Sequence, residues 1–256
     1  MPRDGQFIPP IAGSHVPDAP STPSSRLDAL LAAQLGCSRT LARQYIEAGH
    51  VRADGVVIED PQAEVGGVRL VLADDARIDP VEPATLLVNK PRGMPAMDAV
   101  ALLVPEARFG QDGDGQRLLS RHLRHLDAPM PIEAEATGLL VLTQDGRVRR
   151  RLLEDFASLE QEYVVEIRGD PGPYGLQRLA RGLEHAGRVM PPCKVSWQNE
   201  DRLRLAMKGV QPDQLRTMCA AIGLDAVEVR RLRIGRVGLA KMPVGQWRML
   251  PTGEKF

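Results

Sequence analysis

The stretch Met130-Pro131-Ile132-Glu133-Ala134-Glu135-Ala136-Thr137 runs into Gly138 and an apolar segment, Leu139-Leu140-Val141-Leu142. Thr143-Gln144-Asp145-Gly146 closes that segment as a polar turn. A short apolar run between turn signals reads as a buried strand. Glu133 and Glu135 therefore stand at the mouth of a core. Carboxylates placed there can serve as a base or a nucleophile toward a substrate; the plainer alternative is a solvated pair at a loop end. Two arginine clusters are the other conspicuous groups: Arg147, Arg149, Arg150 and Arg151, then Arg230, Arg231, Arg233 and Arg236. Beside a cleft they would suit a polyanion backbone, although arginine runs are often only a solvated face. His122 and His125 have a spacing that could hold a metal on a helix. No third ligand accompanies them, so no metal is expected. Lys90-Pro91-Arg92-Gly93 follows a strand but lacks the phosphate-loop pattern.

The elements that must position these groups sit in a chain of 256 residues, 43% hydrophobic and 26% charged, with a formal net charge of zero. Such a composition suits a soluble protein with a sizeable core in two domains. No apolar run approaches the roughly 18 to 20 residues that span a bilayer, and the N-terminus lacks a signal peptide's pattern. Cys37, Cys193 and Cys219 are scattered and odd in number, as expected of thiols in a reducing cytoplasm. Because the net charge is zero, local distribution decides whether a nucleic acid is a partner.

Residues 1–24 are rich in Pro, Ser, Gly and Ala and read as a disordered tail. Ser24 or Ser25 can cap a helix with Leu27, Leu30, Leu31 and Leu35 on one face, ended by Gly36. Ser38 can cap a second helix with Leu41, Ala42, Tyr45 and Ile46 inward, stopped by Gly49. Asp54-Gly55 marks a hairpin turn, and residues 68–73 a further strand. Arg39, Arg43, His50 and Arg52 make a small basic face. This arrangement, over residues 25–73, resembles the alpha-L RNA-binding motif, the helix-helix-hairpin module of a small-subunit ribosomal protein and many RNA-modifying enzymes. The resemblance implies that Arg39, Arg43 and Arg52 contact RNA phosphates, which supply affinity without base selectivity.

Residues 75–84 read as an acidic, proline-bearing linker after a first domain at 25–74. Over residues 85–251, short helices and strands interleave without a Gly-rich phosphate loop. The expected class is α+β with a mixed, largely antiparallel sheet.

The blocks "LLVNKPRGM", "EATGLLVLTQDG", "EQEYVVEIRG", "QLRTMCAAIG", "EVRRLRIG" and "MPVGQWRML", in this order, resemble those of the bacterial ribosomal-RNA pseudouridine synthases that carry an N-terminal alpha-L motif. These enzymes break the N-glycosidic bond of a uridine within RNA, turn the uracil and rejoin it through carbon. The resemblance implies no metal and no cofactor, ribosomal RNA as partner, and a monomer. The family pattern is Arg-Leu-Asp, two residues, Thr, one residue, Gly. Counted back from Gly138, it places Pro131 at the arginine, Glu133 at the catalytic aspartate and Ala136 at the threonine. Tyr163 matches the tyrosine against the target base, Arg216 the basic residue paired with the carboxylate, and Val229 the apolar residue under the base. Lys90, Arg92, Arg230 and Arg231 are expected to contact RNA. Pro212 and Asp213 dilute the charge of the loop before Arg216.

A competing register puts Leu126-Asp127 at the Leu-Asp of the pattern and requires an insertion at 129–131; the strand start favours Glu133. Glu for Asp keeps the charge and adds a methylene, and misplacement by about 1 Å can cost on the order of a hundredfold in rate. Two functions therefore remain open: an RNA pseudouridine synthase, or an RNA-binding protein that kept the fold without the chemistry.

Overall fold

The computed structural model describes residues 24–77, 83–110, 118–185, 187–251 and 253–256. Most of the expected tail, the middle of the expected linker and most of the "GQDGDGQ" loop lie outside these residues. The chain divides into two units, with the boundary between Asp79 and Pro80.

The N-terminal unit contains β1 (Ser25–Arg26), α1 (Leu27–Leu35), α2 (Arg39–Glu47), β2 (Val51–Ala53), β3 (Val56–Val57), β4 (Glu64–Val65) and β5 (Leu70–Leu72). Leu27 and Leu31 of α1 meet Ala42 and Ile46 of α2, and Val51 of β2 closes the same core. Gly36 ends α1 at φ 63°, a left-handed position that glycine adopts without a Cβ penalty. The Ser38 hydroxyl accepts the Leu41 N–H at 3.2 Å and caps α2. β2 and β3 turn at Asp54 and Gly55, both at positive φ, as a tight hairpin requires.

The expected serine cap of α1 is not there. Arg26 holds the cap position without a side-chain bond, because Ser25 and Arg26 pair with β4 instead. The polar anchor is Asp28. Its carboxylate is fully buried and receives Arg26 at 3.1 Å, Arg39 at 2.8 Å and Arg43 at 2.8 Å. These guanidinium groups, with the Arg39 bond the largest cause, hold the Asp28 carboxyl well below its usual range. Arg39 and Arg43 are thus hinge pins between the two helices as well as surface cations. Arg52 points outward and donates to the Gly55 carbonyl at 3.0 Å.

The C-terminal unit begins with β6 (Thr85–Lys90) and short 3₁₀ turns at Ala96–Leu102, Pro105–Ala107 and Ser120–Leu123. β7 (Thr137–Thr143), α3 (Gly146–Glu154), β8 (Glu160–Gly169) and α4 (Gly175–Arg181) follow. Then come β9 (Leu183–His185), β10 (Arg188–Met190), β11 (Lys194–Asn199), β12 (Arg202–Lys208), α5 (Gln214–Ala220), β13 (Leu224–Ile234), β14 (Val237–Gly238) and β15 (Trp247–Met249). The class is α+β. An eight-stranded sheet runs β11-β12-β8-β13-β7-β6-β15, with β14 attached to β13. Its pairings are antiparallel except β13 with β7.

Every residue of β7 is buried. Leu139 and Val141 face one core, with Leu152 of α3 and Ile234; Leu140 and Leu142 face another, with Trp247. A strand covered on both faces reads as a continuous apolar run, which is what 139–142 shows. At the other end of the sheet only one face is covered. β12 alternates buried and exposed residues, and Leu203 and Leu205 pack with Val165, Met218 and Leu224. The opposite face carries ion pairs across the strands. Glu160 meets Lys194 and Arg233, Glu162 meets Arg204 and Arg233, and Glu166 meets Arg202. Among the described residues, no helix is long and apolar enough to cross a membrane.

Candidate active site

Gly138 fixes where the site begins. It sits in β7 at φ 105°, where β7 runs parallel to β13. A Cβ there would fall 2.2 Å from the Arg231 carbonyl oxygen, so only glycine permits the approach. The Arg231 side chain then turns back into the core. It donates to the Leu139 carbonyl at 2.8 Å, the Met130 carbonyl at 2.7 Å and the Gln161 side chain at 3.2 Å. One guanidinium therefore brackets the loop 130–139 at both ends. Lys90 acts on the same loop from β6. Its ammonium is fully buried and donates to the carbonyls of Pro91, Met94 and Ala134 at 2.8–3.0 Å.

Two expectations are corrected here. Arg231 is 2% exposed and Lys90 is 0% exposed, so neither reaches an RNA phosphate. Burial pushes the Lys90 ammonium and the Arg231 guanidinium below their usual values. Sequence alone showed cations beside turns; it did not show that the carbonyls of a tight loop would claim them. Several arginines of the two basic clusters are likewise committed locally. Arg149 pairs with Asp127 at 2.6 Å, Arg151 with Asp155, and Arg233 with Glu160 and Glu162. Arg92 is half exposed and meets Glu135 at 3.0 Å. Arg230 lies partly buried on β13, its Nε without a partner among the described residues.

Within the loop so held, the Ala136 N–H bonds the Glu133 carbonyl at 3.1 Å and makes a turn. That turn presents the Glu133 carboxylate to α5. Arg216 Nε stands 3.5 Å from it, with both side chains about a quarter exposed. The Asp213 N–H also donates to the same carboxylate. Arg216 is steadied by donating to the Ala226 carbonyl of β13, and its Nη2 is buried without a partner among the described residues. Glu133, Tyr163, Val229 and Ala136 line one small pocket of about 30 Å³, closed on its far side by Gln211, Pro212 and Leu215. Tyr163 is 5% exposed and donates its hydroxyl to Gln161 at 2.8 Å, the amide that Arg231 also holds. Burial raises the Tyr163 hydroxyl above its usual range, so it stays a neutral donor.

The structure thus gathers Glu133, Tyr163, Arg216 and Val229, drawn from a loop, two strands and a helix. Asp127 is not among them. It bridges to Thr143 at the opposite end of β7 and pairs with Arg149. Sequence reasoning put the loop before Arg216 near the site but missed the Asp213 backbone donor and the closing of Val210, Gln211 and Pro212 over the pocket. Asp213 at φ 58° is an unusual conformation for aspartate, and no sequence signal announces it. His122 accepts the Leu119 N–H through Nδ1 at 3.2 Å, and no cluster that could hold a metal occurs among the described residues.

With this geometry in view, similarity to known proteins can be placed. Residues 25–67 match the S4 domain. The chain is 24% identical over 239 residues to the ribosomal large subunit pseudouridine synthase B of Bacillus subtilis, covering 90% of this chain and 93% of that protein. It is 26% identical over 246 residues to the ribosomal small subunit pseudouridine synthase A of Yersinia pestis, covering 90% and 96%. It is 26% identical over 235 residues to the dual-specificity RNA pseudouridine synthase RluF of Escherichia coli, covering 90% and 77%. A crystal structure of a pseudouridylate synthase superposes with a TM-score of 0.57 at 21% identity, covering 89% of this chain and 96% of that one. Over nine-tenths of its length, then, this chain resembles the bacterial ribosomal-RNA pseudouridine synthases, with an S4 domain at its N-terminal end.

Proposed function

We propose that the protein isomerises uridine to pseudouridine in structured ribosomal RNA, with Glu133 as the carboxylate that acts at the ribose. The observation that carries this reading is the placement of Glu133 3.5 Å from Arg216 in a pocket lined by Tyr163 and Val229. The reaction breaks the bond from C1′ to uracil N1 and forms one from C1′ to C5. A proton leaves C5 and one is gained at N1, so the change is an isomerisation and calls for no metal or cofactor. Arg216 and the Asp213 N–H orient the carboxylate, Val229 packs under the base, and the neutral Tyr163 ring lies against it. Phosphates would be held by Arg39, Arg43 and Arg52 of the S4 unit and by Arg92 and Arg230. The setting proposed is the cytoplasm, and the working form a monomer.

The pocket's free space of about 30 Å³ is smaller than a uracil. A uracil needs more room, so the pocket must widen at its mouth, which the Gln211–Pro212 loop borders. Gly209 and Asp213, both at positive φ, flank that loop.

One observation favours a second reading, a non-catalytic RNA-binding protein. The longer Glu133 side chain already has its carboxylate engaged by Arg216 and the Asp213 N–H. Pro131 and Ala136, which also line the pocket, bring no hydrogen-bonding side chain to help draw a nucleotide out of its stack. Mapping pseudouridine in ribosomal RNA from cells with and without the protein separates the two. A position lost with the gene supports the enzyme; an unchanged map supports the binder.

A further inference from the structure

Beside the Glu133 pocket lies a larger cavity of about 470 Å³. Gln211 and Pro212 line both spaces, so the two are neighbours across one thin wall. The far side of the larger cavity is apolar: Val189 and Met190 from the β9–β10 hairpin, then Pro191. Its near side is polar and uncharged: Gln211, Gln214 and Thr217.

We propose that this cavity is a second base-binding subsite, which takes an unpaired nucleobase from a nucleotide adjoining the target uridine in the same RNA strand. The inference rests on the reading of the Glu133 pocket as the uridine site.

Size is the first argument: the cavity leaves ample room for a nucleobase. Charge is the second. Among the described residues no charged side chain lines the cavity, which suits a neutral base better than a phosphate. The third is the chemistry of the two walls. Val189 is 81% exposed, which the packing of the fold does not call for, and it lies on the lip where the flat face of a base would rest. Across from it, Gln214 Oε1 accepts the Gln211 N–H at 2.8 Å. That bond fixes the Gln214 amide and leaves Nε2 as the donor it offers. The Thr217 hydroxyl donates to the Asp213 carbonyl at 3.0 Å, which leaves its oxygen as an acceptor. Gln214 and Thr217 stand three apart on α5 and so share a face. One donor beside one acceptor can meet the hydrogen-bonding edge of a splayed-out single-stranded base, while the apolar lip covers its face. Continuity is the last argument. A strand that delivers uridine to one pocket brings its next base to the other.

The test is fluorescence anisotropy of the full chain with a stem-loop RNA whose unpaired loop is all uridine. Abasic nucleotides are placed at each loop position in turn. The position of the target is marked separately as the loop uridine that the wild type converts to pseudouridine. The subsite predicts that one adjoining abasic site weakens binding about tenfold. Val189→Asp on the exposed lip, and Gln214→Glu, which keeps the bond to Gln211 but removes the donor, should each weaken the intact RNA to the same degree. In either variant the adjoining abasic site should then cost nothing more. If the stem-loop binds but no adjoining abasic site matters, or both variants leave its effect intact, the subsite is refuted while the uridine pocket stands. If the stem-loop does not bind in any form, the proposed function fails and takes the subsite with it.

Discussion

Arg231→Lys separates a buried clamp from an RNA contact, because the charge is kept and only the fork is lost. Arg231 satisfies the carbonyls of Leu139 and Met130 and the side chain of Gln161. A lysine ammonium reaching one of the two carbonyls leaves the other without this donor, while Gln161 keeps the Tyr163 hydroxyl. At about 1–3 kcal/mol for one unsatisfied buried group, the C-terminal unit should lose about that much. That is a measurable share of a typical domain stability of about 5–15 kcal/mol. Both tryptophans, Trp197 and Trp247, belong to this unit. Urea unfolding followed by tryptophan fluorescence therefore reads it selectively, and the midpoint should fall with little change in slope. A stability change below about 0.5 kcal/mol, together with weaker RNA binding, would mean that Arg231 faces phosphate and that the clamp is wrong.

Three further outcomes follow from the same structure. The Asp28 carboxyl is depressed in the folded state, so its stabilisation is complete above the ordinary carboxylate value of 3.8 and is lost as pH falls below it toward the folded value. The melting temperature of the N-terminal unit, followed by far-UV circular dichroism, should accordingly fall in acid, and Asp28→Asn should lower it at neutral pH and flatten the acid limb; an unchanged profile refutes the triad of arginines. Gly138→Ala, with its Cβ directed at the Arg231 carbonyl, should cost more than about 1 kcal/mol in the same urea assay used for Arg231, and a neutral effect would contradict the close parallel approach of β7 and β13. RNA affinity should drop by ~10³ or more between about 50 and 200 mM salt if six or more phosphates are contacted. Arg52→Ala, on the outward side of β2, should reduce that slope by about one without altering the unit's stability.

The elements with strong local patterns were readable in the chain itself. The run 139–142 is a strand buried on both faces, and Asp54-Gly55 is the hairpin turn. Ser38 caps its helix because its hydroxyl has an orphan N–H within reach. Groups whose partners come from distant sequence were not readable. Lys90 finds Ala134, and Arg231 finds Met130 and Leu139, only once β6, β7 and β13 lie side by side. Ser25 was lost as a cap because β4, some 40 residues away, claims its backbone. The β9–β10 hairpin went unread because its strands, Leu183–His185 and Arg188–Met190, are too short to show a strand pattern. In the site, the order of blocks located Glu133, Tyr163, Arg216 and Val229. The Asp213 N–H that meets the carboxylate depends on a left-handed aspartate, which residue type disfavours and only the closed loop explains.

The central claim is that Glu133 does chemistry on uridine. It is tested by the pseudouridine that purified protein forms in unmodified ribosomal RNA, with binding measured in parallel for wild type, Glu133→Gln and Glu133→Asp. The account predicts that wild type forms pseudouridine, and that Glu133→Gln binds RNA as wild type does but forms none. Wild-type protein that binds RNA and forms no pseudouridine, or equal product from wild type and Glu133→Gln, would contradict it.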